Sequence, residues 1–293
     1  MRQELLRFGT VGSPQTTSAS GTPAAIRHIR ELGLDHLEIA WTHSVSVTEP
    51  TCLQIRETGR EARVSLSVHA PYYINFNSQT DDKLMKSNER LFAAARAGFL
   101  AGATDIVFHP GSYHKLPPAD VYPIVRDRLG AVVHRLTQEG VAVTLRPETM
   151  GKGSMFGSLE ETLRLSHEIP NVLPCIDWAH LYARTANGLF NTREEFDQAL
   201  QMLESYLGER GLKQVHFHLS GIAYTPKGEK AHIPMYESPQ RFVDLLQAFI
   251  AFGLAGTVGI EAPEPFHTAD ALHFQALYRH LLNPIHAAQE TED

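Results

Sequence analysis

Asp105-Ile-Val-Phe-His109-Pro-Gly-Ser112 is a short apolar run that ends on a histidine and breaks at once into a proline and glycine turn. That is the signature of a buried strand whose last side chain faces an open end, and it recurs along the chain. His69, His109, Glu148, Asp177, His218 and Glu261 each stand at or just past the end of such a run, at spacings of 40, 39, 29, 41 and 43 residues. One strand plus one helix of an eight-fold barrel of roughly 250 residues takes about that length. Every strand of a parallel barrel delivers its carboxyl end to one face, so these six side chains are expected to converge on one cavity. Clustered carboxylates repel one another in a poorly solvated site, and a divalent cation offsets both the repulsion and the lost hydration.

The rest of the chain keeps the same rhythm. Strands are expected over 6–11, 36–40, 64–69, 105–109, 141–145, 172–176, 214–219 and 257–260. Helices are expected over 23–32, 81–101, 119–138, 158–168 and 238–252, with another opening at Thr192 and a last one near His280. Gly33 and Gly140 stop two of them, and Ser158 with Glu161 has the form of a capping box. Eight strands alternating with helices predict one α/β domain, a (β/α)8 TIM barrel over 1–286, with 287–293 as a disordered acidic tail. An open doubly wound sheet gathers its ligands at one switch point and gives no reason for a ligand-type residue on each of strands three to eight.

Composition excludes several classes. The 293 residues are 43% hydrophobic and 20% charged, with no stretch approaching the roughly 18 apolar residues of a membrane span and no signal-peptide core. Cys52 and Cys175 are the only cysteines and form no CxxC pair, which fits a reducing, cytoplasmic setting. A net charge of −7 argues against broad affinity for nucleic acid, which rests on Lys and Arg, but leaves room for a local site.

Neutral imidazoles such as His69 and His109, fixed at rigid strand ends, suit zinc, manganese or iron. Glu148 lies midway in the series, where its two oxygens could bridge two cations. Asp177 and His180 are three residues apart past strand six, a spacing that serves adjacent metals, or a helix N-cap in the case of Asp177. In Val215-His-Phe-His-Leu219 both histidines share a strand face, with His218 nearer the open end and His216 deeper, as a packed or supporting residue. Glu264 reads as a rim residue, and Gly151 and Gly153 as turn residues.

With these residues in view, a family resemblance is visible. His69-Ala-Pro-Tyr-Tyr-Ile-Asn75, Phe108-His-Pro-Gly-Ser112, Pro147-Glu-Thr-Met-Gly151, Cys175-Ile-Asp-Trp-Ala-His180, His216-Phe-His-Leu-Ser-Gly221 and Ile260-Glu-Ala-Pro263 resemble, in order, the metal-binding motifs of the endonuclease IV family. The resemblance spans residues 8–280. It implies a TIM barrel whose first metal takes His69, His109 and Glu148, and whose second takes Glu148, Asp177, His218 and Glu261. A third metal would use His180 and His232; Lys230 stands at the family's Asp position, with Glu229 one residue earlier. The chain also lacks the Arg-bearing loop after strand two, and His-Leu-Ser-Gly replaces His-Leu-Asn-Asp, as in a divergent branch.

What the resemblance implies is hydrolysis of a phosphodiester at abasic sites in damaged double-stranded DNA by a monomer holding two zinc ions and a third at the altered site, or Mn2+ or Fe2+ in their place. Glu148 and Glu261 would be catalytic, and Tyr72, Asn75 and Lys152 would contact DNA. A rival expectation is a xylose isomerase-like sugar isomerase or epimerase, which uses one metal on Glu148, Asp177, His218 and Glu261 and leaves His69 and His109 without a role. A barrel that binds DNA or sugar with a relic site is a third.

Overall fold

The alternation of side chains along each strand decides what the barrel holds. A computed structural model describes residues 6–289. Its strands are β1 (Arg7–Val11), β2 (His36–Ala40), β3 (Ser65–His69), β4 (Asp105–Phe108), β5 (Thr144–Pro147), β6 (Ile176–Asp177), β7 (Val215–Leu219), β8 (Gly221–Thr225), β9 (Gly228–Ile233) and β10 (Gly256–Ile260). Eight of them, all but β8 and β9, are parallel and run in the order β5-β4-β3-β2-β1-β10-β7-β6. Parallel bridges from Leu145 to Val172 and from Glu148 to Cys175 join the two ends and close the ring. The single-domain barrel expected from the spacing is therefore present.

Outward positions such as Phe8, Leu37, Val68, Phe108, Phe217 and Val258 are fully or almost fully buried under the helices. Each such side chain contributes about 1.5–3 kcal/mol of transfer free energy. Inward positions are mostly polar, whereas branched apolar residues fill most barrels of this kind. The register aligns them in tiers: His36 with Ser65, Glu38 with Ser67, and Ala40 with His69 across β2 and β3, then His216 with Thr257 and His218 with Gly259 across β7 and β10.

The helices α1 (Thr22–Glu31), α2 (Glu49–Ala62), α3 (Asp81–Leu100), α4 (Pro118–Gln138), α5 (Leu159–Glu168), α6 (Trp178–Arg184), α7 (Arg193–Lys213), α8 (Phe242–Ala251) and α9 (His267–Gln289) supply the outer layer. Ser158 with Glu161 and Thr192 with Glu195 form reciprocal capping boxes that start α5 and α7. Several features depart from the expected pattern: strand five runs over Thr144–Pro147 and not 141–145, and the short helix α6 follows Asp177 directly. Helix α2, capped by Thr48, follows strand two, a place for which no helix was expected. Strand six is two residues long, because the chain over 172–175 touches β5 only through isolated bridges. The antiparallel hairpin of β8 and β9 is inserted after β7. Helix α9 extends to Gln289, into the segment expected to be a disordered tail, and residues 290–293 lie outside those described.

Candidate metal centre

Glu148 sits at the middle of the open end of the barrel, fully buried, with its oxygens facing two different groups. Its Oε2 lies 3.3 Å from His69 Nε2 and 3.1 Å from His109 Nε2. Its Oε1 lies 3.1 Å from His180 Nδ1 and 3.7 Å from His218 Nδ1. All six residues of the spaced series are brought together. His69, His109 and Glu148 form one cluster, and Glu148, Asp177, His218 and Glu261 a second, each with ligand-capable atoms within 4.8 Å of one another.

The imidazoles are anchored from behind. His69 Nδ1 donates to Ala70 O at 2.9 Å, His180 Nδ1 to Thr149 O at 2.9 Å, and His232 Nδ1 to Glu261 O at 2.9 Å. A ring that donates through Nδ1 in its neutral form turns an Nε2 lone pair the other way, which is how protein imidazoles are oriented toward metals. The consequence is sharpest for His180 and His232, whose Nε2 atoms face each other at 3.4 Å. Two lone pairs at that distance repel unless a proton or a cation lies between them.

His232 arrives on β9, and with Asp177 and His180 it makes a third cluster. Glu229, also on β9, has Oε2 at 3.6 Å from His180 Nε2, while Lys230 is exposed. The carboxylate near this cluster is thus the one preceding Lys230. Glu229 N donates to Gly151 O at 2.8 Å, which pins the hairpin to the loop after β5. Asp177 does two things at once: it caps α6, accepting from His180 N at 2.7 Å through Oδ1, and its Oδ2 faces the clusters.

The residues fit a divalent cation. Glu148 Oε1, Asp177 Oδ2 and both ring nitrogens of His218 are buried without a hydrogen-bond partner among the described residues. Unpaired buried carboxylate oxygens cost several kcal/mol, so their convergence needs a positive charge. The histidines hold Glu148 well below the usual carboxylate range against the opposing effect of burial. Asp177 is pushed up to about 6 by burial and by the charge of Glu261.

The expected nucleic-acid contacts divide. Tyr72 is half exposed and stacks on His109, with ring centroids 5.2 Å apart, at the mouth beside Glu261 and His232. Asn75 is occupied by its own loops: Oδ1 accepts from Asn77 N at 2.9 Å, and Nδ2 donates to His114 Nε2 at 2.9 Å. Lys152 is exposed, on the loop that the hairpin touches.

Sequence reasoning passed over the tier beneath the site. Glu38, fully buried on β2, accepts from Ser67 Oγ at 2.7 Å and His216 Nε2 at 2.8 Å, and its Oε1 is 3.1 Å from His218 Nε2. The deeper, supporting place expected for His216 is where it lies. The signal for Glu38 was present in His36-Leu-Glu-Ile-Ala40, where polar residues alternate with apolar ones in the period of a strand.

The sequence matches the xylose isomerase-like TIM barrel family over residues 26–278. It is 36% identical over 262 residues to an uncharacterized protein of Methanocaldococcus jannaschii, covering 89% of this chain and 93% of that one. A probable endonuclease 4 of Streptomyces avermitilis is 32% identical over 157 residues, 51% of this chain, which spans about half of that relative (49%). Among solved structures, endonuclease IV from Thermus thermophilus superposes with a TM-score of 0.70 at 20% identity, over 94% of this chain and 99% of that one. A D-tagatose 3-epimerase-like protein superposes with a TM-score of 0.69 at 19% identity over the same shares. At those identities the two structures speak to the fold alone.

Proposed function

This chain belongs to the xylose isomerase-like TIM barrel family, and from that premise we propose that it is a divalent-metal-dependent hydrolase of DNA phosphodiesters that acts at abasic sites, a reading supported by its similarity to a probable endonuclease 4. The observation that carries the reading is the pair His69 and His109 on one oxygen of Glu148, with a separate cluster on the other. A one-metal sugar enzyme has no use for that pair. Charge supports it as well. Glu38, Glu148, Asp177 and Glu261 are four carboxylates in or under one pocket, and two divalent cations balance four negative charges where one leaves a net −2.

His69, His109 and Glu148 would hold one ion, and Glu148, Asp177, His218 and Glu261 the other, with His180, His232 and Glu229 available to a third. When bound, such ions supply the charge that lowers the pKa of a water and stabilises the leaving oxygen. Glu148 offers one oxygen to each cluster and would belong to both sets of ligands. Glu261, nearest the mouth, is the carboxylate able to accept a proton from an incoming water and to orient it. Tyr72 gives the mouth a flat aromatic wall, and Lys152 an exposed cation for the phosphate charge.

The test is incision of a duplex carrying one abasic site by the zinc- or manganese-loaded protein, with metal content measured in parallel. Wild type should carry at least two ions and nick the strand. Glu148→Gln should lose about 10²–10³ in rate, as removal of a preorganised charge-stabilising group does. A second reading, a one-metal sugar epimerase, would use only the cluster of Glu148, Asp177, His218 and Glu261. One tight ion per chain, kept in His109→Ala, together with no incision, would overturn the nuclease reading.

A further inference from the structure

Beneath the clusters lies a connected set of polar side chains, of which only His216 belongs to the six motifs. His36 Nδ1 is 2.9 Å from Ser65 Oγ and its Nε2 is 3.0 Å from Ser67 Oγ. Ser67 donates to Glu38 Oε2, which also faces His216 Nε2; His216 Nδ1 is 2.9 Å from Thr257 Oγ1. The donors can be assigned by counting hydrogens. Ser67 has one proton, and with a carboxylate 2.7 Å away it goes to Glu38, so His36 Nε2–H must donate to Ser67. A carboxylate cannot donate, so His216 Nε2–H also points at Glu38, and Thr257 Oγ1 holds the ring from behind at Nδ1. Both arms therefore run toward Glu38 and hold it as an anion.

One acceptor is left over. Glu38 Oε1 and His218 Nε2 are 3.1 Å apart, both are buried, and neither has a hydrogen-bond partner among the described residues. We propose that Glu38 is a positioning residue: it takes the Nε2–H of His218 and so commits that ring to the tautomer whose Nδ1 faces Glu148 and Glu261. A Cβ at Gly259 would lie 2.7 Å from Val11 Cγ2 and 3.3 Å from His218 Cδ2, so glycine there leaves room for both side chains. The inference rests on the metal reading above and adds to it that affinity for the second ion is tuned from the floor of the barrel by β2.

The experiment titrates metal-free protein with zinc against a chromophoric competitor and reads the affinity of each equivalent. Glu38→Leu fills the volume without an acceptor, and Glu38→Gln keeps an acceptor oxygen. Loss of an outer hydrogen bond to a metal-ligating histidine typically costs about 10–100-fold in affinity. Glu38→Leu should show that loss at the equivalent held by His218 and none at the one held by His69 and His109. Glu38→Gln should recover at least about threefold of it. Equal affinities in wild type and Glu38→Leu, or equal losses in Leu and Gln, overturn the inference. If Glu38→Leu does not fold, Ser67→Ala, which removes one of the two arms, should weaken the same equivalent, and wild-type affinities there overturn it. Wild-type protein that takes up no zinc overturns the metal reading and this inference with it.

Discussion

His36 shows how much a single buried side chain can say about the floor of the barrel. Burial and the neighbouring His216 lower its pKa to about 3, so the folded protein keeps it neutral where an unfolded chain would protonate it near 6.5. The sign follows from proton counting. Between those two values the unfolded state binds one more proton, so stability rises with pH and is lost as pH falls from about 6.5 toward 3. The slope is about 1.4 kcal/mol per pH unit once well below 6.5. Urea unfolding at about pH 6.5 and pH 5 should show wild type losing more stability than His36→Gln by about 1–2 kcal/mol. Equal losses would mean that His36 is protonated in the fold. Asp105 makes the same floor vulnerable by another route. Despite its burial, the Arg146 guanidinium holds its carboxyl below the usual range, with Nε at 2.6 Å from Oδ1. Asp105→Asn leaves Arg146 without its counter-ion and should cost about 3 kcal/mol by the same measurement.

Whether a residue could be read from the sequence depended on which strand end it occupied. His69, His109, Glu148, Asp177, His218 and Glu261 were legible because each stands at the carboxyl end of its strand, beside turn residues that mark the open face. Glu38 lies one tier lower, where polar side chains are ordinarily excluded, and only its pairing with Ser67 and His216 gives it meaning. The β8–β9 hairpin was hidden for a different reason. Its second strand is mostly half-buried and carries no apolar alternation, and Gly228, with φ at +92°, is the turn that makes the hairpin close. A Cβ at Gly228 would come within 2.4 Å of Gly151 O, the carbonyl that also accepts from Glu229 N. Gly228→Ala should therefore lift the hairpin from the β5 loop and destabilise the protein by about 1–3 kcal/mol. Trypsin should then cut after Lys227 or Lys230 faster than in wild type. Unchanged cleavage would mean that the hairpin is held by something other than this contact.

At the scale of the molecule, the barrel combines an apolar outer layer with a polar interior, and the two make opposite demands on stability. The outer faces of the strands bury their side chains under helices and favour folding, whereas the unpaired carboxylates at the open end oppose it. A ligand that binds only the folded state adds RT ln(1 + [L]/Kd), about 2.7 kcal/mol at a hundred times Kd. For a chain of this size each kcal/mol moves Tm by roughly 2 °C, so removing metal should lower Tm by about 5 °C for each tightly held ion. The check is calorimetry of protein as purified, after chelation, and after zinc is restored. Glu148→Gln separates the explanations, because it removes the repulsion and the ligand together. Its chelated form should melt no lower than chelated wild type, and zinc should raise its Tm by less. A wild-type Tm that is the same with and without chelator would mean that the interior satisfies its own charges, leaving the four carboxylates without the cation on which the proposed chemistry depends.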